Sequence, residues 1–471
     1  MDENFENYDL ENLIIKDKQY YRKRKIKCLL FWIPLILVIG IVITLVVLLR
    51  PKPDNKIICH YQTQDGTENT TLININSNIE YNIMINNTNC GKINSYKLNK
   101  DTTYEVIFDF KNKLDSLDGF FEGNIYLIYA DLSKLQIDNI ESMVNLFKNC
   151  INLKEVFIDN KTPNLKNLSN MFYNCTSLDI IHLNFDTSNV SKMDYMFSDF
   201  SKLTKLDISN CSLEKVTDTS SMFQGCTDLK EIKFKENTLT RNLEDMNSMF
   251  NGCYSLEYIN TKIFHVNKVT NLSYTFAQCY NIEELDLTNF KAESIMELSG
   301  TFFDCYSLKK LNLSNFNTSK VTKMDFMFYE CDTLTSLDIS NFNLANVTNT
   351  SSMFQGCTNL REIKFNNNTR TENLEDMNSM FKKCRQLESI NTKIFKVNKV
   401  TNLSYTFEEC YYLTELDLSN FEALNVKELS GVFWDCLNLT EIDVSNFNTS
   451  KSDKNGTYVS WMSKFRRYKY I

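Results

Sequence analysis

A block of residues repeats from Tyr126 to residue 450, and this repeat constrains the fold more than any other feature. One copy, residues 327–342, reads MFYECDTLTSLDISNF. Its cysteine returns in every copy but one, in which Phe200 takes its place. We call the following residues the ladder cysteines: Cys150, Cys175, Cys226, Cys253, Cys279, Cys305, Cys331, Cys357, Cys384, Cys410 and Cys436. Such a short and regular period indicates a solenoid, in which each unit buries its apolar face by stacking on its neighbours.

The pattern within one unit predicts its secondary structure. Leu416 and Leu418 fall on one face of a short strand, and Asp417 falls on the other. Four apolar residues then follow at the i, i+3, i+4, i+7 spacing of a helix face: Leu429, Val432, Phe433 and Cys436. We therefore predict an α/β solenoid of about 12 units over residues 126–450, with parallel strands and short helices.

The unit resembles the leucine-rich repeats, and most closely those of the BspA-like leucine-rich-repeat surface proteins. The resemblance is carried by Met-Phe-x-x-Cys-x-x-Leu-x-x-Leu-Asp-Leu-Ser-Asn-Phe, as at residues 327–342. It implies a leucine-rich-repeat fold and binding to proteins of a host, of a matrix or of other cells. Where leucine-rich repeats usually carry an internal Asn, this chain has Phe342, Phe421 and Phe447. We therefore expect a stacked column of Phe rings in place of an Asn ladder.

Residues 29–49 form an apolar run that no charged residue interrupts. The run is long enough to cross a bilayer, since a spanning helix needs about 20 such residues. Basic residues crowd its N-terminal flank, which favours a cytosolic N-terminus. We predict a single-pass, type II signal anchor at residues 29–49, with a cytoplasmic tail over residues 1–28 and the remainder outside the cell or in a lumen.

The segments at either end of the array do not follow the repeat. Residues 50–125 are predicted to form a juxtamembrane linker and a β-rich N-terminal cap, because residues 103–110 alternate like a strand. In an oxidising compartment Cys59 and Cys90 could form a disulfide there. Residues 451–471 are interpreted as a C-terminal cap or a tail, since the exposed end of a solenoid needs covering.

The solvent-facing strand positions supply the candidate binding face. They form a largely acidic column, which Lys233, Asn260, Lys364 and Asn391 interrupt. The candidate binding residues are Asp207, Asp286, Asn312, Asp338, Asp417 and Asp443. Such a column could meet a basic protein, or it could be a solvated face that keeps the strands soluble.

The ladder cysteines lie on the apolar stripe, where free Cys behaves as a small hydrophobic residue. Buried free thiols are therefore the favoured interpretation, with ladder disulfides or metal ligation as alternatives. Asn-x-Ser/Thr sequons suggest glycosylation of an ectodomain. The candidate acceptors are Asn69, Asn86, Asn271, Asn346, Asn402 and Asn438.

Catalysis has little support in this sequence. The three histidines, His60, His182 and His265, belong to no triad or metal motif, and no phosphate-binding loop is present. We therefore expect no enzyme activity, no metal and no cofactor. The net charge of −8 argues against nucleic acid as a partner.

These observations favour a membrane-anchored surface protein that presents its solenoid for protein binding, adhesion or recognition. Its partner would be a protein ligand on another cell, a host or a matrix. One alternative is a receptor whose short cytosolic tail recruits adaptors, and another is a passive structural coat. The sequence does not determine the oligomeric state.

Overall fold

The computed structural model describes residues 54–64, 69–75, 78–291, 293–419, 421–444, 446–447 and 467–469. The described residues from Asn55 onward belong to one compact unit. The predicted anchor at residues 29–49 and the predicted tail at residues 1–28 lie outside the described residues. Within the ranges that are described, no helix is long and apolar enough to cross a membrane.

The described residues form 17 short strands. The first six are β1 Lys56–Gln62, β2 Asn69–Thr71, β3 Tyr81–Ile85, β4 Thr88–Gly91, β5 Ser95–Lys97 and β6 Thr103–Phe110. The next nine are β7 Leu127–Asp131, β8 Glu155–Asn160, β9 Ile180–Phe185, β10 Lys205–Ile208, β11 Glu231–Phe234, β12 Glu284–Asp286, β13 Lys310–Asn312, β14 Ser336–Ile339 and β15 Glu362–Phe365. The last two are β16 Glu441–Asp443 and β17 Arg467–Lys469, and two 3-10 turns span Thr261–Ile263 and Thr392–Ile394.

One sheet of seven strands joins the N-terminal segment to the first coils of the solenoid. Its strand order is β4-β3-β6-β1-β7-β8-β9. Strand β1 pairs antiparallel with both β6 and β7, and β7, β8 and β9 then pair in parallel. The N-terminal segment thereby covers the edge of β7, which removes an exposed edge from the start of the array.

Further along, strands of successive coils pair in parallel one repeat apart, as the sequence predicts. In β10 and β11, Leu206 lies opposite Ile232 and Asp207 lies opposite Lys233. Strands β12 with β13, β14 with β15, and β16 with β17 pair in the same way. Leu206 and Ile232 are buried whereas Asp207 is exposed, so the alternation in the sequence corresponds to the inner and outer faces of the sheet.

The predicted short helices are wrong: among the described residues the apolar stripe forms a run of turns. Between Met324 and Cys331, alternate backbone N–H groups donate in two directions. The N–H groups of Phe326, Phe328 and Glu330 donate to the next coil, at 2.9, 2.8 and 2.7 Å. Those of Met327, Tyr329 and Cys331 donate back three residues within the coil. A helix would keep all of these bonds inside one segment, whereas here half of them hold neighbouring coils together.

Left-handed residues make this alternation possible. In every coil from Cys150 to Cys436 the residues one and five positions before the ladder position have positive φ, as at Phe326 with 57° and Glu330 with 54°. Two residues with positive φ, four positions apart, interrupt a right-handed helix. The i, i+3, i+4, i+7 spacing therefore gives the correct buried residues but the wrong backbone.

Columns of Phe rings fill the core between coils. The longest column stacks with centroid separations of 5.4 to 5.9 Å. It consists of Phe121, Phe147, Phe172, Phe197, Phe223, Phe250, Phe276, Phe302, Phe328, Phe354, Phe381, Phe407 and Phe433.

The Phe column predicted at the position of the usual Asn is confirmed. Phe316 stacks on Phe290 and Phe342 at 6.0 and 6.5 Å, and Phe421 stacks on Phe447 at 6.2 Å. Asn341, one residue before Phe342, nevertheless donates its side-chain amide to the carbonyl oxygens of Leu313 and Phe316, each at 2.9 Å. Ring stacking and amide contacts to the preceding coil therefore occur side by side.

The predicted disulfide between Cys59 and Cys90 is not formed, because the sheet topology separates the two thiols. Cys59 lies on β1 and Cys90 on β4, with β6 and β3 between them. Three inter-strand steps amount to roughly 14 Å, well beyond the Cα separation that a disulfide can bridge. Both residues are free cysteines.

Candidate binding faces of the solenoid

The predicted binding residues all lie on the outer side of the strands, which we call the strand face. Asp207, Asp286, Asn312, Asp338, Asp417 and Asp443 are exposed. The pairing register places them in one column along the array, with Asp286 opposite Asn312 and Asp338 opposite Lys364. The structure thus aligns these residues, but it also gives most of them a local role.

Most of the Asp and Asn residues of this column close the turn that follows their strand. The Oδ1 atom of Asp338 accepts a hydrogen bond from the N–H of Ser340 at 3.0 Å, and Asn312 accepts one from Ser314 at 3.2 Å. Asp207, Asp286 and Asp417 make the same contact two residues on. Such Asx turns satisfy a backbone donor where the strand ladder ends, so the LDLSN pattern is explained without a ligand.

These turn contacts also hold the carboxylates in their charged form. Hydrogen bonds from Ser419, followed by one from Lys393, lower the pKa of Asp417 to about 2. Hydrogen bonds from Ser209 and from Ser340 likewise lower the pKa of Asp207 and of Asp338. These three carboxylates therefore stay ionised at any pH at which the protein would meet a partner.

Lysines of adjacent coils partly neutralise the column. Lys233 pairs with Asp207 at 3.0 Å, and Lys393 pairs with Asp417 at 3.2 Å. Two residues upstream, Lys205 pairs with Glu231 at 3.0 Å. All six side chains are largely exposed, so each pair contributes little to stability. The strand face is consequently a mosaic of both charges, in which pairs between coils partly neutralise the largely acidic column.

A row of aromatic rings crosses the N-terminal end of the strand face. His60 stacks on Tyr129 at 4.6 Å, Tyr129 lies 5.9 Å from Phe157, and Phe157 stacks on His182 at 4.2 Å. These four residues stand on β1, β7, β8 and β9, and we call them the aromatic row. His182 is exposed and the other three are half-buried.

Sequence reasoning missed the aromatic row, although part of the signal was present. Phe157, His182 and Asp207 follow one another at a constant interval of one repeat, so repeat counting places them in the same column. His60 and Tyr129 join them only because β1 adds antiparallel to β7. That pairing crosses the boundary of the repeat, where periodicity carries no information.

The ladder cysteines are buried free thiols, as favoured from the sequence. Each thiol donates a hydrogen bond to a Phe carbonyl oxygen of the preceding coil, as Cys331 does to Phe302 at 3.1 Å and Cys357 to Phe328 at 3.0 Å. Burial raises the pKa of Cys305 and of Cys436 to about 12. These thiols therefore connect neighbouring coils, and they lie too deep for contact with a ligand.

The candidate glycosylation sites fall into two groups. Asn69, Asn346 and Asn438 are exposed, and Asn86 is exposed but accepts a hydrogen bond from the N–H of Glu105 at 3.0 Å. Asn271 and Asn402 are half-buried, and each accepts a bond at 2.9 Å from the Ser that completes its sequon. In this second group the Asn-x-Ser pattern forms an Asx turn, so the fold itself accounts for the sequon.

Comparison with known proteins places the repeat in a family. The family described as "Mycoplasma protein of unknown function, DUF285" matches residues 84–199, 115–237, 141–262, 244–366 and 364–468. Together these matches run from residue 84 to residue 468, which is most of the chain. The chain belongs to the DUF285 family.

Solved structures similar to this DUF285 protein come from bacterial proteins. A leucine-rich repeat protein from Bacteroides ovatus is 18% identical, with a TM-score of 0.37 and coverage of 77% of this chain and 89% of that chain. A leucine rich cell surface protein from Faecalibacterium prausnitzii is 17% identical, with a TM-score of 0.32 and coverage of 68% and 84%. The pneumococcal vaccine antigen PcpA is 12% identical, with a TM-score of 0.27 and coverage of 82% and 90%. No curated protein matches the chain.

Proposed function

We propose that this protein is displayed on a membrane surface, where its solenoid binds a protein ligand through the strand face. The observation that carries the proposal is the aromatic row, in which four rings lie side by side on a solvent-facing sheet. Aromatic residues are enriched in protein interfaces because they bury a large area at a small cost in side-chain entropy.

The charges along the strand face complete this proposed interface. Next to the aromatic row, Glu155 is half-buried and Lys154 is exposed, and the paired charges of Lys205 and Glu231 follow. An apolar centre with a charged rim is the usual arrangement of a protein-binding surface. The resemblance to BspA-like surface proteins agrees with this proposal, and no enzyme activity forms part of it.

Membrane display is proposed from the sequence of residues 29–49, and labelling of intact cells tests it. A tag at the C-terminus should react with an impermeant reagent, whereas a tag at the N-terminus should react only after permeabilisation. A C-terminal tag that stays protected from protease after selective permeabilisation of the plasma membrane would place the solenoid in an internal lumen. A C-terminal tag in the cytosol would reject surface binding.

The strand face is tested with cells that display the full chain over an immobilised coat of basement-membrane proteins. We expect the double variant F157S/H182S to lower adhesion at least fivefold, because it removes two rings of the aromatic row. The matched control is I151S, which removes an exposed apolar side chain from the same coil but away from the strand face. Equal adhesion of the native chain and F157S/H182S, at equal surface expression, would contradict a role for the strand face.

A further inference from the structure

Three tyrosines form a column on the turns that carry the ladder cysteines, away from the strand face. Tyr254, Tyr280 and Tyr306 each follow a ladder cysteine directly, so the repeat places them at the same position of successive coils. Their ring centres lie 4.7 and 4.9 Å apart, with interplanar angles of 8° and 22°. Tyr254 is 38% exposed and Tyr306 is 40% exposed, while Tyr280 between them is half-buried. The three phenols therefore stack face to face at the protein surface, and we call them the tyrosine stack.

Face-to-face stacking distinguishes this column from the other pairs of tyrosine rings in the described part of the chain. Tyr96 and Tyr104 meet edge to face at 5.7 Å, and Tyr173 and Tyr195 do so at 6.1 Å. In the tyrosine stack, by contrast, identical side chains leave neighbouring coils at the same position with nearly parallel rings. Each ring atom therefore has its equivalent in the next coil about one ring separation away.

The backbone keeps the three phenols at this spacing. Beside the first two rings, the N–H of Gly252 donates to the carbonyl oxygen of Ala277 at 3.0 Å. Beside the last two, the N–H of Gln278 donates to the carbonyl oxygen of Phe303 at 2.6 Å. The coils are thus fixed relative to one another, and the rings can approach each other by rotation about their own side-chain bonds.

Phenols held side by side in this way can be joined by oxidation. A peroxidase with hydrogen peroxide removes one electron and the hydroxyl proton from a tyrosine, which leaves a phenoxyl radical with spin on the ring carbons ortho to the oxygen. Two such radicals couple through a carbon–carbon bond between ortho carbons, and the ortho hydrogens then move to the oxygens and restore both hydroxyl groups. The two electrons and two protons that the tyrosines lose reduce one hydrogen peroxide to two waters.

The groups beside the tyrosine stack favour this loss of an electron and a proton. Burial, followed by the phenol of Tyr254 and the carboxylate of Asp304, raises the pKa of Tyr280. Burial, followed by Asp304 and Glu330, raises the pKa of Tyr306. Both phenols are therefore neutral at pH 7, so each releases its proton together with its electron. Burial also raises the pKa of Asp304, which makes this carboxylate a better acceptor for that proton.

We propose that the tyrosine stack is a site of oxidative cross-linking, at which hydrogen peroxide and a peroxidase join Tyr280 to Tyr254 or to Tyr306. The product is a dityrosine that connects two neighbouring coils covalently. Each coil of a solenoid contacts only its neighbours, so such a bond opposes local separation of the coils. The site does not depend on the role proposed for the strand face.

Treatment of the dilute, purified full-length chain with a peroxidase and hydrogen peroxide tests the site. Dityrosine fluorescence measures the yield, and tandem mass spectrometry locates peptide pairs whose mass is two hydrogens below the sum of the two peptides. We expect links from Tyr280 to Tyr254 or Tyr306 in the native chain. Y280F should lose both links, because Tyr254 and Tyr306 are two coils, or roughly 10 Å, apart. Y254F should keep the link between Tyr280 and Tyr306.

The matched control is Y258F. Tyr258 is 66% exposed and belongs to the same coil as Tyr254, but it lies outside the tyrosine stack. Y258F should therefore cross-link like the native chain. Links made mainly through Tyr258, or equal yields of dityrosine within the stack region from Y280F and the native chain, would show that exposure and not stacking decides the reaction, and would overturn the proposal. Phenylalanine retains a ring at each position, and the melting temperature before oxidation checks that every variant is folded.

A stability measurement gives a second readout. The oxidised native chain should melt at a higher temperature than the untreated chain, whereas the same treatment should not raise the melting temperature of Y280F. Dityrosine found only between two copies of the chain, as dimers on a denaturing gel, would assign the reaction to contacts between molecules and reject the site. A native chain that forms no dityrosine would reject it as well.

Discussion

At the scale of single residues, one side-chain contact recurs along the array. It supplies the hydrogen-bond acceptor that a longer strand would provide for the backbone N–H groups at its end. The strands are three to six residues long in the repeat region, and each leaves backbone donors unpaired where it ends. Asp338 and its equivalents supply the acceptor through an Asx turn. The side chains of the acidic column, which resembles a binding site, therefore have a structural role: they close the turns that follow the strands.

Replacing Asp338 tests that local role. D338A should destabilise its coil by about 1 kcal/mol, because the N–H of Ser340 loses its acceptor. Hydrogen exchange at Ser340 should accelerate roughly fivefold, as this free energy implies. D338N should exchange like the native chain, since Asn312 makes the same contact in its own coil. Loss of protection in D338N equal to that in D338A would show that the carboxylate charge, and not the turn, matters.

The thiols give a second prediction at the residue scale. At pH 8, iodoacetamide should modify Cys90 well before any ladder cysteine, because Cys90 is half-buried whereas the ladder cysteines are buried. Burial raises the pKa of Cys150 to about 12, so almost none of its reactive thiolate exists at that pH. Mass spectrometry of peptides measures modification at each site. Native-state modification of the ladder cysteines at the rate of Cys90 would contradict their burial.

At the scale of the element, the turns around each ladder position keep the same left-handed backbone conformation although the residue types there vary. The position five residues before the ladder position has a positive φ in every coil. It is occupied by Asn145 and Gly300, but also by Tyr274 and Phe326, whose residue types rarely adopt a positive φ. Hydrogen bonds between coils impose this conformation on them. Residue choice at this position also depends on the previous coil. A Cβ added at Gly300 would meet the ring of Tyr274, so glycine leaves room for that ring.

A pair of glycine variants separates the cost of chirality from the cost of crowding. Gly123 and Gly225 both have positive φ, at 73° and 72°. Nothing lies near an added Cβ at Gly123, whereas at Gly225 it would meet the carboxylate of Asp199. G123A should therefore cost about 1 kcal/mol, and G225A about 1–3 kcal/mol more. Urea unfolding measures both, and equal losses would show that Asp199 moves aside freely.

At the scale of the whole molecule, equivalent residues of successive coils stack in columns. One coil can therefore replace another as long as each residue stays in its column. One line of parallel bridges runs from Ser142 to Glu428, with one residue in each coil. A duplicated block relates Ser221-Met222-Phe223 to Ser352-Met353-Phe354. Such copying is tolerated because each coil contacts only its neighbours.

Deletion of one coil tests this interchangeability. Removal of residues 335–360 joins Leu334 to Arg361, the residue that would follow it in register, so every column continues. This variant should unfold cooperatively, with a modest loss of stability because one inter-coil interface is gone. Removal of residues 335–347 alone breaks the columns and should abolish cooperative unfolding. Circular dichroism during heating compares the two, and equal behaviour would contradict a register-dependent core.

The sequence by itself determined the period, the parallel pairing, the buried ladder cysteines and the Phe column at Phe316 and Phe342. These follow from spacing, because a residue repeated once per coil must stack on its own copy. The tertiary structure decided what depends on contacts between coils. The predicted helical stripe, as at Phe328 and Cys331, instead forms turns with left-handed residues, because half of the backbone donors there bond to the next coil. The tertiary structure also separated Cys59 from Cys90, since the strand order of the N-terminal sheet is not encoded in any repeat.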